Sequence, residues 1–553
     1  MFRIIIFWIL LLISAVPGGA HAQDGSDKPT EILPDKNDSF SEMPSDQTPI
    51  IDEDDTTLNI PLVANRLKMA GDGKFVIGAV QIEGSTSLSQ ATFSSAIEPF
   101  VGRMAEPNVL KDLARAIANR ARAQGFLFAS AIIPAQSVGM GVMRVRLDEG
   151  VVHKVSVNGT NNRFVKRLFD NLAGKPGMRK DIEQAILLTE DLHGFSIDKT
   201  SFMRKFGKGI LTIQVSEKAH QAHATLDNYG RQSSGPFRAR LEIDWSGVFD
   251  DSDWLHSQML TLPANPQKLL FVSTSYTNML TDDGKTISVS GGAGRTRQVD
   301  SDGEWSKSRS GYANVKLSAP LRRMSSASIW LNLETSFLSV DRIYSDSRPR
   351  RDDVVTVTGS VTGNARFAGG KVSGGIAATQ GLDILGATRA GDPNASRLDA
   401  SGQFTKGELW MNWHRKLGSG FSLRTVVNAQ IASRPVLSSQ EIDLGGPRIG
   451  RGFNYSEKSG DQGIAGLAEL RRYFDKPVKG VSWAQIYTFV DGGYIDNLRI
   501  VGDSGSLMSA GGGIRAGIGK MELSLELATP MKGMRGDKDR RSPQFNVALG
   551  FSF

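Results

Sequence analysis

The sequence predicts a transmembrane antiparallel β-barrel of about sixteen strands, preceded by two small α/β domains. Three observations lead there. The chain opens with an export signal, a strand-and-helix pattern occurs twice over about 75–218, and period-two alternation runs from about residue 220 to Phe553.

Arg3 is followed by the apolar run Ile4–Ile13, then by Pro17 and Ala20-His21-Ala22. A short positive end, an apolar stretch and an A-x-A site describe a secretory signal peptide over 1–22, cut before Gln23. The run is too short to span a bilayer comfortably, which argues against an anchor. The chain has no cysteine. That excludes disulfide stapling, cysteine nucleophiles, thiolate zinc sites and iron–sulfur clusters. The net charge of +7 is unevenly spread, because residues 23–58 carry −9 and the remainder +16. The stretch 23–74 is rich in Asp, Ser, Pro and Thr, has little apolar surface to offset its ordering entropy, and is expected to be an acidic disordered linker. The positive charges elsewhere are scattered through alternating segments, so no nucleic-acid partner is expected.

Residues 75–150 read as β-α-α-β-β. Phe75–Ile82 is a strand, and Ser89 is placed to cap a helix carrying Phe93 and Ile97. A second helix from near Asn108 puts Leu110, Leu113, Ala114, Ile117 and Ala121 on one face. Gly125 closes it in the C′ position. Strands over Phe126–Ile133 and Val142–Leu147 follow. The order then recurs over 151–218. Val152–Val157 is a strand, and Phe164, Val165, Leu168 and Leu172 mark a helix ending at Gly174. Asp181 with Gln184 suggests a capping box, and Gly209–Val215 is the final strand.

From 219 to 553 one side of each segment is greasy and the other small or polar. Ile329, Leu331 and Leu333 alternate with Ser328, Trp330, Asn332 and Glu334, and Phe545, Val547, Leu549, Phe551 and Phe553 with Gln544, Asn546, Ala548, Gly550 and Ser552. A soluble sandwich turns such a face inward, whereas a membrane barrel turns it toward lipid. Export, segments of about ten residues and an aromatic end with no unpaired edge favour the membrane. An even count near sixteen leaves a lumen too wide for side chains to fill.

Three groups of residues resemble the pore-forming TpsB transporters of two-partner secretion, over about 75–553. The first is Gly125-Phe126, Pro134-Ala135-Gln136 and Asp148-Glu149-Gly150, which is similar to that family's first POTRA domain. The second is Leu444-Gly445-Gly446-Pro447-Arg448-Ile449-Gly450-Arg451-Gly452-Phe453, with Gly460-Asp461-Gln462-Gly463 and Glu469 after it. The third is Phe489-Val490-Asp491-Gly492-Gly493. Residues 433–459 form the longest stretch without alternation in the strand-rich region, between strands eleven and twelve. Such a loop, with glycines around one arginine, is able to fold into the lumen. In strand thirteen Trp483, Gln485, Tyr487, Phe489, Asp491 and Gly493 share one face, so Asp491 is expected to face the lumen and form a bidentate pair with Arg451. By resemblance, Arg451 and Asp491 are the family's loop-to-wall lock, Gly452 and Phe453 shape the loop tip, and Glu469, Phe489 and Gly493 support it. The family usually has a β-branched residue before the arginine, where this chain has Gly450.

The resemblance implies a translocator in the bacterial outer membrane with two periplasmic POTRA domains (75–150 and 151–218). These would capture an unfolded partner, a large secreted exoprotein of β-helical adhesin or haemolysin type. A free sheet edge in each domain suits an extended chain. Phe551 and Phe553 resemble the C-terminal signal read by the barrel-assembly machinery, and outer-membrane lipid is the surrounding partner. The alternatives are an insertase of the same superfamily, which usually has more POTRA units, and a passive porin, which has no need of any. In this family a helix ahead of the first POTRA often plugs the pore, but Pro29, Pro34, Pro44 and Pro49 argue against a long one here. Gly291-Gly292-Ala293-Gly294 has no helix after it to hold a phosphate, and His220 and His223 lack further ligands for a metal. No H-E-x-x-H or G-x-S-x-G is found, so no enzyme, cofactor or metal site is expected.

Overall fold

A computed structural model describes residues 75–553 apart from 135, 137–140, 231–233, 300–304, 346–348, 499–503, 534 and 536–541. The expected signal peptide and acidic linker lie outside the described residues. The described chain forms two compact units that divide between Lys218 and Ala219.

The first small domain contains β1 (Ala79–Glu83), α1 (Pro107–Ala123), β2 (Ser130–Ile132) and β3 (Val142–Asp148). Its sheet has the order β1-β3-β2, with β1 parallel and β2 antiparallel to β3. α1 starts one residue before Asn108, with proline in its first turn, where a missing N–H costs nothing. It buries Leu110, Leu113, Ile117, Ala118 and Ala121 against the sheet, each large side chain contributing about 1.5–3 kcal/mol. Ala114 is only half-buried, and Ala118 takes its place in the core. The helix expected from Ser89 is instead a broken run, 3-10 over Gln90–Phe93, α over Ser94–Ile97 and 3-10 over Glu98–Phe100. Ser89 makes no side-chain cap, and Pro99 denies the run a continuous ladder.

The second small domain contains β4 (Val152–Asn158), α2 (Arg163–Asp170), α3 (Arg179–Glu190), β5 (Phe195–Lys205) and β6 (Lys208–Glu217), in the sheet order β4-β6-β5. Asn162 caps α2 by accepting the Val165 N–H at 2.9 Å. α3 begins at Arg179, two residues before Asp181, and its N-cap Met178 gives no side-chain bond, so no capping box forms. β5 is a strand the sequence reading missed. A register shift between Ile197 and Lys199 moves its buried positions from Phe195 and Ile197 to Phe202, which breaks the period-two signal.

The joint between the two domains explains the closing Asp148-Glu149-Gly150. Phe128 and Phe202 stack with ring centroids 3.8 Å apart. A Cβ on Gly177 would lie 2.3 Å from the Phe128 ring, so that position must stay bare. Arg204 reaches across to Asp148 and the Phe128 carbonyl, both at 2.9 Å, and to the Ser130 hydroxyl. Glu149 is buried and collects the Thr86 and Ser87 backbone N–H groups at 2.9 and 2.8 Å, with hydroxyls from Ser85, Thr86 and Ser87.

Among the described residues sixteen strands close an antiparallel barrel, from His220–Asp227 to Gln544–Ser552, and these two pair with each other from Asp227↔Ala548 to His223↔Ser552. The alternating greasy faces point outward. Leu331 and Leu333 are about half exposed and Phe545 is 56% exposed, while Ser328 and Asn332 are buried inside. A sandwich would reverse this, so the membrane reading holds.

Burial pushes the Glu149 carboxyl up, but the donors from Ser87 and Thr86 outweigh it and hold the group below the usual carboxylate range. A depressed folded-state value adds stability present above the unfolded value of about 4.3 and lost as pH falls through the folded one. Urea denaturation of the 75–218 unit should therefore place wild type above Glu149→Gln at neutral pH, with the two midpoints converging in acid.

Candidate functional site

The loop between the eleventh (Phe421–Ala432) and twelfth (Gln462–Asp475) barrel strands turns back on itself through a short antiparallel pair, Ile442–Leu444 with Lys458–Gly460. Its tip is forced by glycines. Gly445 and Gly450 hold φ of +113° and +89°, and the Gly450 carbonyl accepts the Phe453 N–H at 2.9 Å. A β-branched residue at 450 would strain that backbone. A Cβ on Gly452 would lie 2.8–2.9 Å from Pro530 N, the Thr529 carbonyl carbon and Ser509 Cβ, so only glycine lets the tip meet the wall.

Arg451 is buried among three carboxylates from three strands: Glu469 in the twelfth, Asp491 in the thirteenth (Trp483–Asp496) and Glu526 in the fifteenth (Met521–Lys532). Its Nη1 is 2.8 Å from both Glu469 and Glu526. The guanidinium also lies over the Phe489 ring at 4.2 Å. Asp491 plays a different part from the bidentate one expected. It accepts the Arg451 backbone N–H at 3.2 Å and the Ser509 hydroxyl, while the Nε of Arg451 stays 3.7 Å away. Asp491 therefore fixes the loop backbone, and the side chain reaches past it. Glu469 is the hub, with Arg471 at 2.6 Å and Arg515 at 3.0 Å besides Arg451. Glu526 is held by the Tyr487 hydroxyl at 2.9 Å and the Asn546 amide at 3.1 Å. Phe453 is fully buried with Leu444 and Ile449 against Leu467, Phe489 and Leu507, so an apolar anchor accompanies the charges. Gly493 makes room for Leu444, whose Cδ2 would lie 3.0 Å from an added Cβ.

Residues 207–516 match the family described as haemolysin secretion/activation protein ShlB/FhaC/HecB, and residues 75–150 match the ShlB-type POTRA domain. The chain belongs to that family. It is 20% identical to the heme/hemopexin transporter protein HuxB of Haemophilus influenzae, over 84% of this chain and 86% of the relative. It is 21% identical to the outer membrane transporter CdiB of Dickeya dadantii, over 76% of each. The solved structure of CdiB from Escherichia coli superposes with a TM-score of 0.72 at 16% identity, covering 89% of this chain and 93% of that one. As a member of this two-partner secretion family, the protein is an outer-membrane transporter whose POTRA domains lie in the periplasm.

The sequence-predicted residues Arg451, Gly452, Phe453, Glu469, Phe489, Asp491 and Gly493 thus meet in one place in this transporter. Phe551 and Phe553 do not join them. Phe551 lies near the end of the sixteenth strand and Phe553 just past it, exposed and donating its N–H to the Ala222 carbonyl. Gly292, in the fifth barrel strand (Thr286–Val299), would put a Cβ 2.7 Å from the Tyr312 ring, so that glycine run serves packing. His223 pairs with Ser552 and His220 packs edge-on against Trp245.

Sequence reasoning missed Glu526, and also a second charged node in this transporter. Arg397, between the ninth and tenth strands, reaches Glu441 at 2.7 Å, Asp461 at 2.8 Å and Asp399 at 3.1 Å. Asp461 is wholly buried and accepts the Val436 and Leu498 N–H groups at 2.7 and 2.8 Å. This gives the Asp461 of the Gly460-Asp461-Gln462-Gly463 motif its role: it ties both stems of the lumen loop to the 383–404 loop. Arg397→Ala leaves two buried carboxylates without their cation, a local cost of about 3–5 kcal/mol. Hydrogen exchange should quicken at Val436 and Leu498 and stay slow at Arg451 and Gly452.

Proposed function

We propose that the barrel passes a large, unfolded exoprotein of β-helical type outward through its lumen, and that the Arg451 network is the catch that holds the lumen loop in place until the partner arrives. The observation that carries this reading is the buried loop tip. Arg451 has its two close carboxylates and its aromatic ring on three different wall strands, so withdrawing the tip breaks one compact set of contacts. Ion pairs suit such a catch. Their mutual attraction is largely offset by the desolvation each ion undergoes on burial, so exchange of the loop for a wet channel costs less than the contact list suggests. The relatives named above, a heme/hemopexin transporter and an outer membrane transporter, fit an exported cargo.

The POTRA domains receive the cargo as an extended strand, where main-chain pairing tolerates many sequences. The outer membrane offers no nucleotide energy, so folding of the cargo outside drives net export. No bond chemistry is involved. The outward-facing apolar band meets outer-membrane lipid, and the terminal Phe551 and Phe553 are read by the barrel-assembly machinery during biogenesis.

Asp491→Arg puts a cation where the loop backbone and Ser509 now find an acceptor. Secretion of the partner should be abolished while the barrel still reaches the outer membrane, as read by partner in the medium and barrel in the membrane fraction. Unchanged export would refute the catch.

A further inference from the structure

The sheet order β1-β3-β2 leaves β1 as an edge of the first POTRA domain. Just before β1, Val76 bridges Met104 and Ile77 pairs with Gly102 and Arg103, and over Val80–Ile82 one side chain covers the edge. The Gln90 amide nitrogen donates to the Val80 carbonyl at 2.7 Å, and its oxygen accepts the Ile82 N–H at 3.1 Å. These are the two bonds that a residue of a parallel strand would make opposite Gln81. The side chain therefore stands in for a peptide group. Gln136 does the same on β3, donating to the Arg144 carbonyl at 2.7 Å and accepting its N–H at 2.9 Å, but there it prolongs the pairing begun by β2 inside the sheet. Gln90, from the 3-10 turn that follows β1, instead lies against the outermost strand and is exposed. Beside it opens a groove of ≈ 440 Å³ lined by Val80, Gln90, Ser94, Ile97, Glu98 and Val101.

We propose that β1 is the edge on which this transporter takes up an extended segment of its cargo as an added parallel strand, and that Gln90 is the removable cover of that edge. This rests on the transport reading and names its first contact. The edge already binds an amide in the required geometry, so its occupant is a polypeptide backbone. When the cargo enters, the two Gln90 bonds are exchanged for two from the incoming peptide group, and their number on Val80 and Ile82 does not change. Selection then falls to the side chain that drops between Val80, Ile97 and Val101, which favours an apolar one. Glu98 at the rim disfavours an acidic neighbour. A covered edge also stays closed to unrelated strands, a use of side chains common on exposed edges.

The test uses the full-length transporter in detergent and a fluorescent, lysine-flanked peptide of alternating valine and threonine. Gln90→Ala removes the intramolecular competitor and should tighten binding by about threefold or more. Val101→Glu puts a charge in the groove and should weaken it by a similar factor. The same peptide with alternate backbone nitrogens methylated should not bind. Equal affinity in wild type and Gln90→Ala overturns the proposal, as does full binding by Val101→Glu or by the methylated peptide. Export of the natural partner is scored separately in cells. Lost peptide selectivity with normal export rejects the edge and spares the transport reading, whereas normal export by Asp491→Arg rejects the catch and leaves the peptide result intact.

Discussion

Hydrocarbon offers no partner to a backbone N–H or carbonyl, so every strand in the membrane must find both neighbours within the chain. The pairing of the first strand with the sixteenth meets that demand, and most else in the larger unit follows from it. Closure at sixteen strands leaves a wet interior. The pleat then sends Ile486 and Val490 outward while Tyr487, Phe489 and Asp491 line the inside of the same strand. A polar wall can host charges, and a loop that fills the space must match them. Glu469, Asp491 and Glu526 come from strands twelve, thirteen and fifteen, and they converge only because the sheet is closed and curved.

The loop is held by two kinds of contact with different consequences. Phe453, Leu444 and Ile449 are buried against apolar wall residues, which stabilises the docked state in proportion to area. The charges add little net energy but demand one arrangement, because an unpaired carboxylate in that site is costly. The Arg397 node repeats the device at the stems of the loop. Tip and stems are thus tied separately, so the tip is able to leave the wall while the stems stay fixed. The periplasmic domains work the other way. The stacked Phe128 and Phe202, enclosed by bare glycines and bridged by Arg204, make a packed joint, while the exchange proposed above is confined to the β1 edge.

Much of this was legible in the sequence. Alternation at Ile329, Leu331 and Leu333 survives because strands have a period of two, and the expected export signal, the segment length and the closing aromatic strand together pointed the greasy face toward lipid. Arg451 and Asp491 were found through motifs that resemble the family's, although the true geometry uses the Asp491 carboxylate for the loop backbone. Glu526 was not found, because one lumenal glutamate among many has no local mark of its partner. Arg397, Glu441 and Asp461 were invisible as a group, since their meeting depends on how two long loops fold over each other. β5 was lost to a bulge, and the helix after Ser89 to the break at Pro99.

The central claim is that Arg451 keeps the loop inside an otherwise passable lumen. Single-channel recording of wild type and Arg451→Ala in planar bilayers tests it most directly. A small, flickering wild-type conductance that becomes large and sustained in the variant is the predicted result. Indistinguishable conductances, with the variant still folded as a barrel, would contradict the account.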